Sequence, residues 1–206
     1  MHGRNSSMVD NYIVLDIETT GLHIPRVKES MGVSELNRSE KGDLPDEILQ
    51  LAIVDQAGVV LFYDSFSPTV RKSWKEAQRT HHISPKDVEQ KQPFSSRLAE
   101  IQSIIKEAPL IVAYNAPFDF GFLQGQGVRL TDKPYVCAME AFSRIYGKRR
   151  KYGGGWEWQS LQVCANHYGL KNNQAHDSLA DAQLTLACFK AMLSDTRFPI
   201  RQKPWK

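Results

Sequence analysis

The chain has 206 residues, of which 41% are hydrophobic and 24% are charged, and its formal net charge is +3. This length and composition predict one soluble globular domain with a full hydrophobic core. The net charge is too small to indicate a polyanionic partner, although it does not oppose one. No apolar run approaches the length of a membrane span, and residues 1–7 lack the apolar segment of a signal peptide, so no membrane partner is expected.

The cysteines argue against an oxidising compartment. Cys137, Cys164 and Cys188 are odd in number, far apart and embedded in apolar sequence. This pattern predicts reduced core residues and does not favour a disulfide framework or a zinc site. We therefore expect a cytoplasmic protein.

The first predicted element is a buried strand that ends in two carboxylates. The apolar residues 12–15 are followed by Asp16, Ile17 and Glu18, and a short β-branched run of this kind is typical of a central strand. Because side chains alternate on a strand, Asp16 and Glu18 share a face while Ile17 points into the core. The two carboxylates repel each other, and a divalent ion such as Mg²⁺ would relieve that repulsion. The alternative is an exposed strand end with solvated acids, since so short a motif recurs by chance.

A surface insertion is predicted at residues 24–47, where charges of both signs accompany glycine and proline without a clear period. A short helix near residues 34–38 is expected within it. The whole insertion is either an inert loop or a lid.

Further along, the apolar periods predict a hairpin and two helices. The strands of the hairpin are expected at 48–54 and 59–63, the first helix at 74–81, and the second from near Pro93 to a point before Pro109.

The pair His81–His82 ends the first of these helices. It suggests a metal site, but adjacent residues do not share a face of a helix or a strand. A packing or capping role is therefore favoured.

A second buried strand is predicted at residues 110–114, and a helix follows it from Pro117. Asp119 thus lies in the first turn of a helix, at the carboxyl end of a strand. Taken alone, it would be an acid that stabilises the helix dipole by about half a kcal/mol. Residues 134–138 predict an edge strand that begins at Pro134.

A cluster of four positive charges occupies residues 148–151, next to Tyr152, three glycines and Trp156. Cations with neighbouring aromatic rings can grip a phosphate backbone and stack on bases. A solvated loop is the alternative interpretation. A helix is predicted after this segment, at 160–168.

The last predicted helix begins after His176 and carries Asp181 in its first turns, so both side chains can face one point. Asp177 or Ser178 can cap it, and one face is apolar, formed by Leu179, Ala182, Leu186, Phe189 and Leu193. Taken alone, His176 would be a buried structural histidine. The residues that follow predict a basic tail with little structure of its own. The chain thus divides into an extension at 1–10, a domain at 11–195 and a tail at 196–206.

Three motifs together resemble those of one enzyme family. Asp16-x-Glu18-Thr-Thr-Gly-Leu, Asn115-Ala-Pro-Phe-Asp119 and His176-x4-Asp181 occur in the order that the DEDDh exonucleases show, and the match runs from about residue 12 to residue 193. That family includes the proofreading epsilon subunit of bacterial DNA polymerase III, RNase T and exonuclease X. The resemblance implies an α/β, ribonuclease-H-like fold with a five-stranded mixed sheet flanked by helices.

The resemblance also implies a chemistry. Asp16, Glu18 and Asp181 would hold one divalent ion, Mg²⁺ or Mn²⁺, while Asp16 would bridge to a second and Asp119 would complete the cluster. His176 resembles the family's general base. Two such ions about 3.5–4 Å apart activate a water and offset the charge that grows on the phosphate and the leaving oxygen. The expected products are nucleoside 5′-monophosphates, removed from the 3′ end.

A substrate shell is implied as well. Backbone N–H groups around Thr19, Thr20 and Gly21 would meet the terminal nucleotide, and Leu22 would wedge against its base. Further candidates are Asn115, Phe118 and Phe120. The sequence departs from the family where Tyr114 stands in place of a common histidine and Gln50 in place of a common glutamate, and residues 24–47 are longer than the family's loop.

The leading hypothesis is a metal-dependent 3′→5′ exonuclease that acts on single-stranded or frayed DNA ends. RNA 3′ ends are the alternative substrate, because contacts to the 2′-hydroxyl cannot be identified from sequence. A non-catalytic nucleic-acid-binding module is the competing class; it predicts a broken catalytic position, whereas all five are present. Association with a polymerase or a sliding clamp is not supported, since few residues follow the last helix and the clamp-like residues 183–189 lie inside it.

Overall fold

A six-stranded mixed sheet with helices packed on its faces forms the described part of the protein, which in this computed structural model comprises residues 11–25, 44–171, 176–197 and 201–206. The strands are β1 (Ile13–Thr19), β2 (Ile48–Asp55), β3 (Val60–Ser65), β4 (Ile111–Ala113), β5 (Pro134–Cys137) and β6 (Lys203–Pro204). The helices are α1 (Lys75–His81), α2 (Pro85–Val88), α3 (Leu98–Glu107, after a 3-10 turn at Phe94–Arg97), α4 (Ala116–Gly125), α5 (Ala138–Tyr146), α6 (Leu161–His167) and α7 (Ser178–Leu193). The strand order is β3-β2-β1-β4-β5-β6.

The central strand β1 is paired on both sides. It runs antiparallel to β2 and parallel to β4, and β4 is in turn parallel to β5. The carboxyl ends of β1, β4 and β5 therefore lie at one edge of the sheet. We call it the acidic edge, because Asp16 and Glu18 approach it on β1 and Asp119 follows it on α4.

The core forms two layers, one on each face of the sheet. Val14 packs in the layer that includes α5, α6 and α7, whereas Ile13 and Leu15 pack in the layer that includes α3 and α4. Because side chains alternate along β1, Asp16 and Glu18 share the face of Val14. That is the face on which α7 packs.

The predicted strands, hairpin and longer helices are confirmed. Asp177 caps α7, its Oδ1 accepting from the backbone N–H groups of Leu179 and Ala180 at 3.1 Å each. The buried surface of α7 is wider than the predicted stripe, because the helix lies between the sheet and α5 and α6. Leu186 and Phe189 are buried, as expected, so they do not form an accessible clamp-binding peptide. All three cysteines are buried and free.

The expectation of five strands, with an edge strand at 134–138, is wrong by one strand. Lys203–Pro204 forms β6 antiparallel to β5, so β5 is covered. The interpretation of the tail as having little structure of its own is also wrong for residues 201–206. The indole of Trp205 packs against Phe120 and Tyr135, with ring centroids at 5.2 and 5.8 Å. A two-residue strand held by contacts with residues far away in the chain leaves no period in the sequence.

Several predictions fall outside the described residues. These are the extension at 1–10 and most of the insertion at 24–47, including the short helix near 34–38. The helices α2 and α5 were not predicted. Among the described helices, none has the length and apolar character needed to cross a membrane.

Candidate active site

Three of the predicted catalytic side chains converge at the acidic edge. One ligand-type atom each from Glu18, His176 and Asp181 lies within 4.8 Å of the other two. Glu18 comes from the end of β1, and the other two come from the start of α7. Oxygen ligands lie about 2.1 Å from a bound Mg²⁺, so after a small side-chain adjustment Glu18 and Asp181 could share one ion with His176 beside it.

Asp16 and Asp119 complete a cluster of four carboxylates. Asp119 is buried, at 4% exposure, and Asp16 is half-buried. Burial raises the pKa of Asp16 well above its ordinary value, and the charges of Asp119, Glu18 and Asp181 raise it further. These side chains are therefore close enough to repel one another strongly.

The pKa values of two further carboxyl groups are raised, and charge repulsion contributes to one of these shifts, that of Glu18. Burial, followed by the charges of Asp181 and Asp119, raises the pKa of Glu18 from 4.5 to about 8. Burial raises the pKa of Asp119 to about 7, although the backbone N–H groups of Asp119 and Ile17 act in the opposite direction. Carboxylates shifted in this way are stabilised by a nearby cation. Four oxygen-donor groups of this kind are suited to hard divalent ions such as Mg²⁺ or Mn²⁺.

The first turn of α7 orients the histidine. His176 adopts the left-handed backbone conformation (φ 68°), which is uncommon for a residue other than glycine. Its backbone N–H donates to Asp181 Oδ2 at 3.1 Å. The side chain is exposed, so the alternative of a buried structural histidine is wrong.

A hydrogen-bond network that the sequence did not indicate connects β2 and β3 to this turn. Gln50 Oε1 accepts from the backbone N–H of Ser178 at 2.9 Å, and Gln50 Nε2 donates to the Tyr63 hydroxyl at 3.2 Å. The Tyr63 hydroxyl donates to Asp177 Oδ2 at 2.8 Å. Burial and this contact raise the pKa of Tyr63 to about 12. Gln50 lies opposite Glu18 in the β1–β2 register, which is a signal that becomes available only once the register is known.

A cleft of about 810 Å³ opens beside the carboxylates. Its walls are residues 17–23, which end β1 and follow it, one side of α1, and Phe118 of α4. Lys75 and Arg71 supply positive charge to this wall. Glu18 is the one member of the acidic cluster in the cleft wall, where Arg71 pairs with Asp46 and Lys75 lies next to Glu76.

The loop after β1 is held in place by Asp46. The Asp46 carboxylate accepts from Thr20 Oγ1 at 3.0 Å and from the His23 backbone N–H at 2.9 Å, and it pairs with Arg71 Nε at 2.9 Å. Gly21 leaves room for this carboxylate, because a Cβ at Gly21 would lie 2.7 Å from Asp46 Cγ.

Glu47 holds the facing loop. Its carboxylate accepts from the backbone N–H groups of Thr69, Val70 and Arg71 at 2.7 to 2.9 Å. Because both acids fell inside the predicted insertion, sequence reasoning missed them. Their acceptor role depends on contacts between distant loops, which no local pattern encodes.

His81 joins α1 to the end of β1. Its Nε2 donates to the Thr19 carbonyl at 3.1 Å, and its Nδ1 accepts from the Ile83 N–H at 3.0 Å, which fixes a neutral tautomer. Burial lowers the pKa of His81. His82 ends α1 in the left-handed conformation, so the predicted packing and capping roles of the pair are confirmed.

A family model described as an exonuclease matches residues 13–189, a span that contains all five catalytic candidates. The chain belongs to this exonuclease family. Among curated relatives, the exonuclease is 26% identical over 168 residues to the PolC-type DNA polymerase III of Lactococcus lactis, covering 80% of this chain and 9% of the relative. It is 25% identical over 192 residues to the 3′-5′ exonuclease DinG of Bacillus subtilis, covering 90% of this chain and 18% of the relative. The exonuclease thus spans less than a fifth of the length of these relatives.

Solved structures share the fold. The nuclease domain of 3′hExo, a DEDDh family member, superposes with a TM-score of 0.66 at 14% identity and covers 96% of this chain and 98% of that chain. Exonuclease I of E. coli in complex with a dA16 oligonucleotide gives a TM-score of 0.61 at 17% identity, covering 89% of this chain and 43% of that chain. These likenesses confirm the predicted fold class.

Most of the predicted substrate residues line the cleft, whereas Asn115 is exposed outside its lining. Leu22 is 80% exposed at the mouth of the cleft. Gly21 and Phe118 line the cleft, and Asn115 is exposed at the start of α4. Their contact with substrate remains a prediction.

Two other predicted contacts disagree with the structure. Phe120 is fully buried against Tyr135 and Trp205. Residues two apart on a helix point in nearly opposite directions, so Phe118 and Phe120 cannot both face the cleft. The backbone N–H of Thr20 donates to the Glu47 carbonyl at 2.9 Å and is therefore occupied, although Thr19 and Thr20 both line the cleft.

Proposed function

We propose that this exonuclease removes nucleotides from the 3′ ends of single-stranded or frayed DNA in a metal-dependent reaction that releases nucleoside 5′-monophosphates. The observation that supports this proposal is the convergence of Glu18 and Asp181 with His176, whose ligand-type atoms lie within 4.8 Å of one another. Asp16 belongs to the same site, because the charges of Asp119 and Glu18 raise its pKa. A protein that only binds nucleic acid gains nothing from acids in mutual repulsion beside a cleft, because they would also repel phosphate.

Asp16, Glu18, Asp119 and Asp181 would hold two divalent ions. When bound, these ions supply an activated water and compensation for the charge that develops on the phosphate. His176 would accept the proton of the attacking water on a ring nitrogen, since its side chain is exposed and lies beside Glu18 and Asp181.

The cleft would receive the terminal nucleotide. Its volume of about 810 Å³ is within the usual range for small-ligand sites. Lys75 would attract the phosphate, and Leu22 and Phe118 would present apolar surface to the base.

The preference for DNA rests on a relative, the PolC-type DNA polymerase III, and on a solved neighbour, exonuclease I in complex with a dA16 oligonucleotide. RNA is the second candidate. Two solved neighbours favour it: the 3′hExo nuclease domain is bound to rAMP, and a 3′-exonuclease that recognises the histone mRNA stem-loop has a TM-score of 0.62 at 12% identity.

End-labelled single-stranded DNA and RNA of identical sequence, digested side by side with Mg²⁺, Mn²⁺ or EDTA, test the proposal. We expect products that shorten one nucleotide at a time from the 3′ end, faster for DNA, and no reaction in EDTA. His176→Ala should lose activity yet keep the rise in melting temperature that Mn²⁺ produces. The matched control is His82→Asn, which changes an exposed histidine outside the cluster. His82 has a left-handed backbone conformation, and asparagine tolerates that conformation.

Three results would contradict the proposal. Binding without cleavage in every metal would favour the non-catalytic module. Loss of the Mn²⁺-induced shift in His176→Ala would make His176 a metal ligand in place of a base. Faster trimming of RNA than of DNA would make RNA the preferred substrate.

A further inference from the structure

The basic segment at residues 148–158 folds as a hairpin, which we call the basic hairpin. Arg149 pairs with Trp156 across it, and the Glu157 N–H donates to the Lys148 carbonyl at 2.8 Å. Gly153–Gly155 all have positive φ, between 69° and 80°, and they form the tip. The cations therefore have fixed places on an ordered element.

Aromatic rings hold these cations in a row. The Arg149 guanidinium carbon lies 3.9 Å from the centre of the Trp156 ring, and that of Arg150 lies 4.9 Å from the Trp158 ring. Stacking engages one face of a planar guanidinium and leaves N–H groups on its rim for a phosphate. Tyr152 and Trp158 are 78% and 57% exposed, which is a large apolar surface to leave in water.

One carboxylate neutralises part of the positive charge of the basic hairpin. Lys148 Nζ pairs with Glu157 Oε1 at 2.7 Å, so the remaining positive charge of the hairpin belongs to Arg149, Arg150 and Lys151, all of them exposed. An exposed row of cations with interleaved aromatic rings complements a flexible chain of phosphates and bases.

The base of the hairpin is fixed near the acidic edge. The hydroxyl of Tyr114 lies 2.9 Å from the carbonyl oxygen of Gln159 and 2.8 Å from that of Ser160. Tyr114 follows β4 directly and precedes Asn115, so this contact attaches the hairpin to the segment that leads to Asp119. The family's common histidine at this position is thus replaced by a residue that anchors the hairpin.

We propose that the basic hairpin binds the single strand on the 5′ side of the 3′-terminal nucleotide, with Arg149, Arg150 and Lys151 on its phosphates and Trp158 and Tyr152 stacked on its bases. The proposal rests on the proposed function, because it places the hairpin on the strand whose end enters the cleft.

Equilibrium binding in EDTA tests the hairpin without needing cleavage. The probes are a fluorescent trinucleotide and an oligodeoxythymidylate of about fifteen nucleotides, long enough to reach past the cleft. Replacing Arg149, Arg150 and Lys151 together with glutamine should reduce the slope of log affinity against log salt for the long probe by roughly two, at about 0.7 per phosphate contact. Trp158→Ala should weaken binding of the long probe roughly fivefold. Neither change should alter binding of the trinucleotide.

The control removes the same charge elsewhere, through Lys86→Gln on α2, Lys91→Gln in the segment after α2 and Lys106→Gln on α3, all of them exposed. Melting temperatures of all variants verify folding. An unchanged salt slope in the hairpin variant, or an equal change in the control, overturns the proposal. If the wild-type protein binds the long probe through the hairpin yet cleaves no probe in Mn²⁺, the proposed function fails while the hairpin proposal stands.

Discussion

Glu18→Gln removes one charge from the acidic cluster with little change in shape. In the folded protein the pKa of Glu18 is about 8, against an ordinary 4.5. At pH 7 the folded protein keeps a proton that the unfolded chain has lost, and holding it costs up to about 3 kcal/mol, at 1.36 kcal/mol per pH unit. Water in the cleft, and relief of the charge repulsion among the neighbouring acids, reduce this free-energy cost. We expect Glu18→Gln to stabilise the metal-free protein by about 1–2 kcal/mol, or roughly 2–8 °C in melting temperature.

The dependence on pH gives this prediction its sign. The folded-state pKa of Glu18 is raised, so its destabilising effect is absent below the unfolded value and grows as pH rises toward about 8. Urea denaturation in EDTA at about pH 5 and about pH 8 measures the difference. Saturating Mn²⁺ should favour the wild-type protein, which has the complete ligand set.

The matched control is Glu89→Gln, an exposed glutamate at the end of α2. It should change the free energy of unfolding by less than about 0.5 kcal/mol at either pH. A Glu18→Gln protein that gains no stability at the higher pH, or gains the same at both, would refute the electrostatic reasoning.

Three further substitutions probe the supports of the site. Tyr63→Phe removes the hydroxyl that donates to Asp177 and should lower kcat by about three- to tenfold. The Mn²⁺-induced rise in melting temperature should stay unchanged, because the metal ligands remain. An unaltered kcat would show that Tyr63 has no positioning role. Gly21→Ala should cost about 1–3 kcal/mol in urea denaturation, because its Cβ would press on the Asp46 carboxylate; wild-type stability would mean that the loop adjusts freely. Trp205→Ala should lower the free energy of unfolding by about 2 kcal/mol, roughly half the cost of removing a fully buried tryptophan, and a loss under about 0.5 kcal/mol would show that the C-terminal strand contributes little.

Local patterns were sufficient to predict the elements that carry the catalytic candidates. The alternation of β1 placed Asp16 beside Glu18, and Pro117 placed Asp119 in a first helical turn. Two kinds of feature were not predicted from the local sequence patterns. Phe120 was assigned to the substrate because the motif alone does not show which helix face is buried. The supports of the site, Asp46 and Tyr63, depend on contacts between residues far apart in the chain, and such contacts leave no period in the sequence.

Because β1 is a central strand of the sheet, this part of the site should resist local unfolding. Amide hydrogens in a strand with neighbours on both sides exchange only through large-scale unfolding, whereas outer strands open at lower free energy. Departure of β6, or fraying of β3, would leave the separation between Asp16 and Glu18 unaltered. Two of the four acids that would receive the metal ions, Asp16 and Glu18, are therefore carried by the backbone that should be slowest to exchange with solvent.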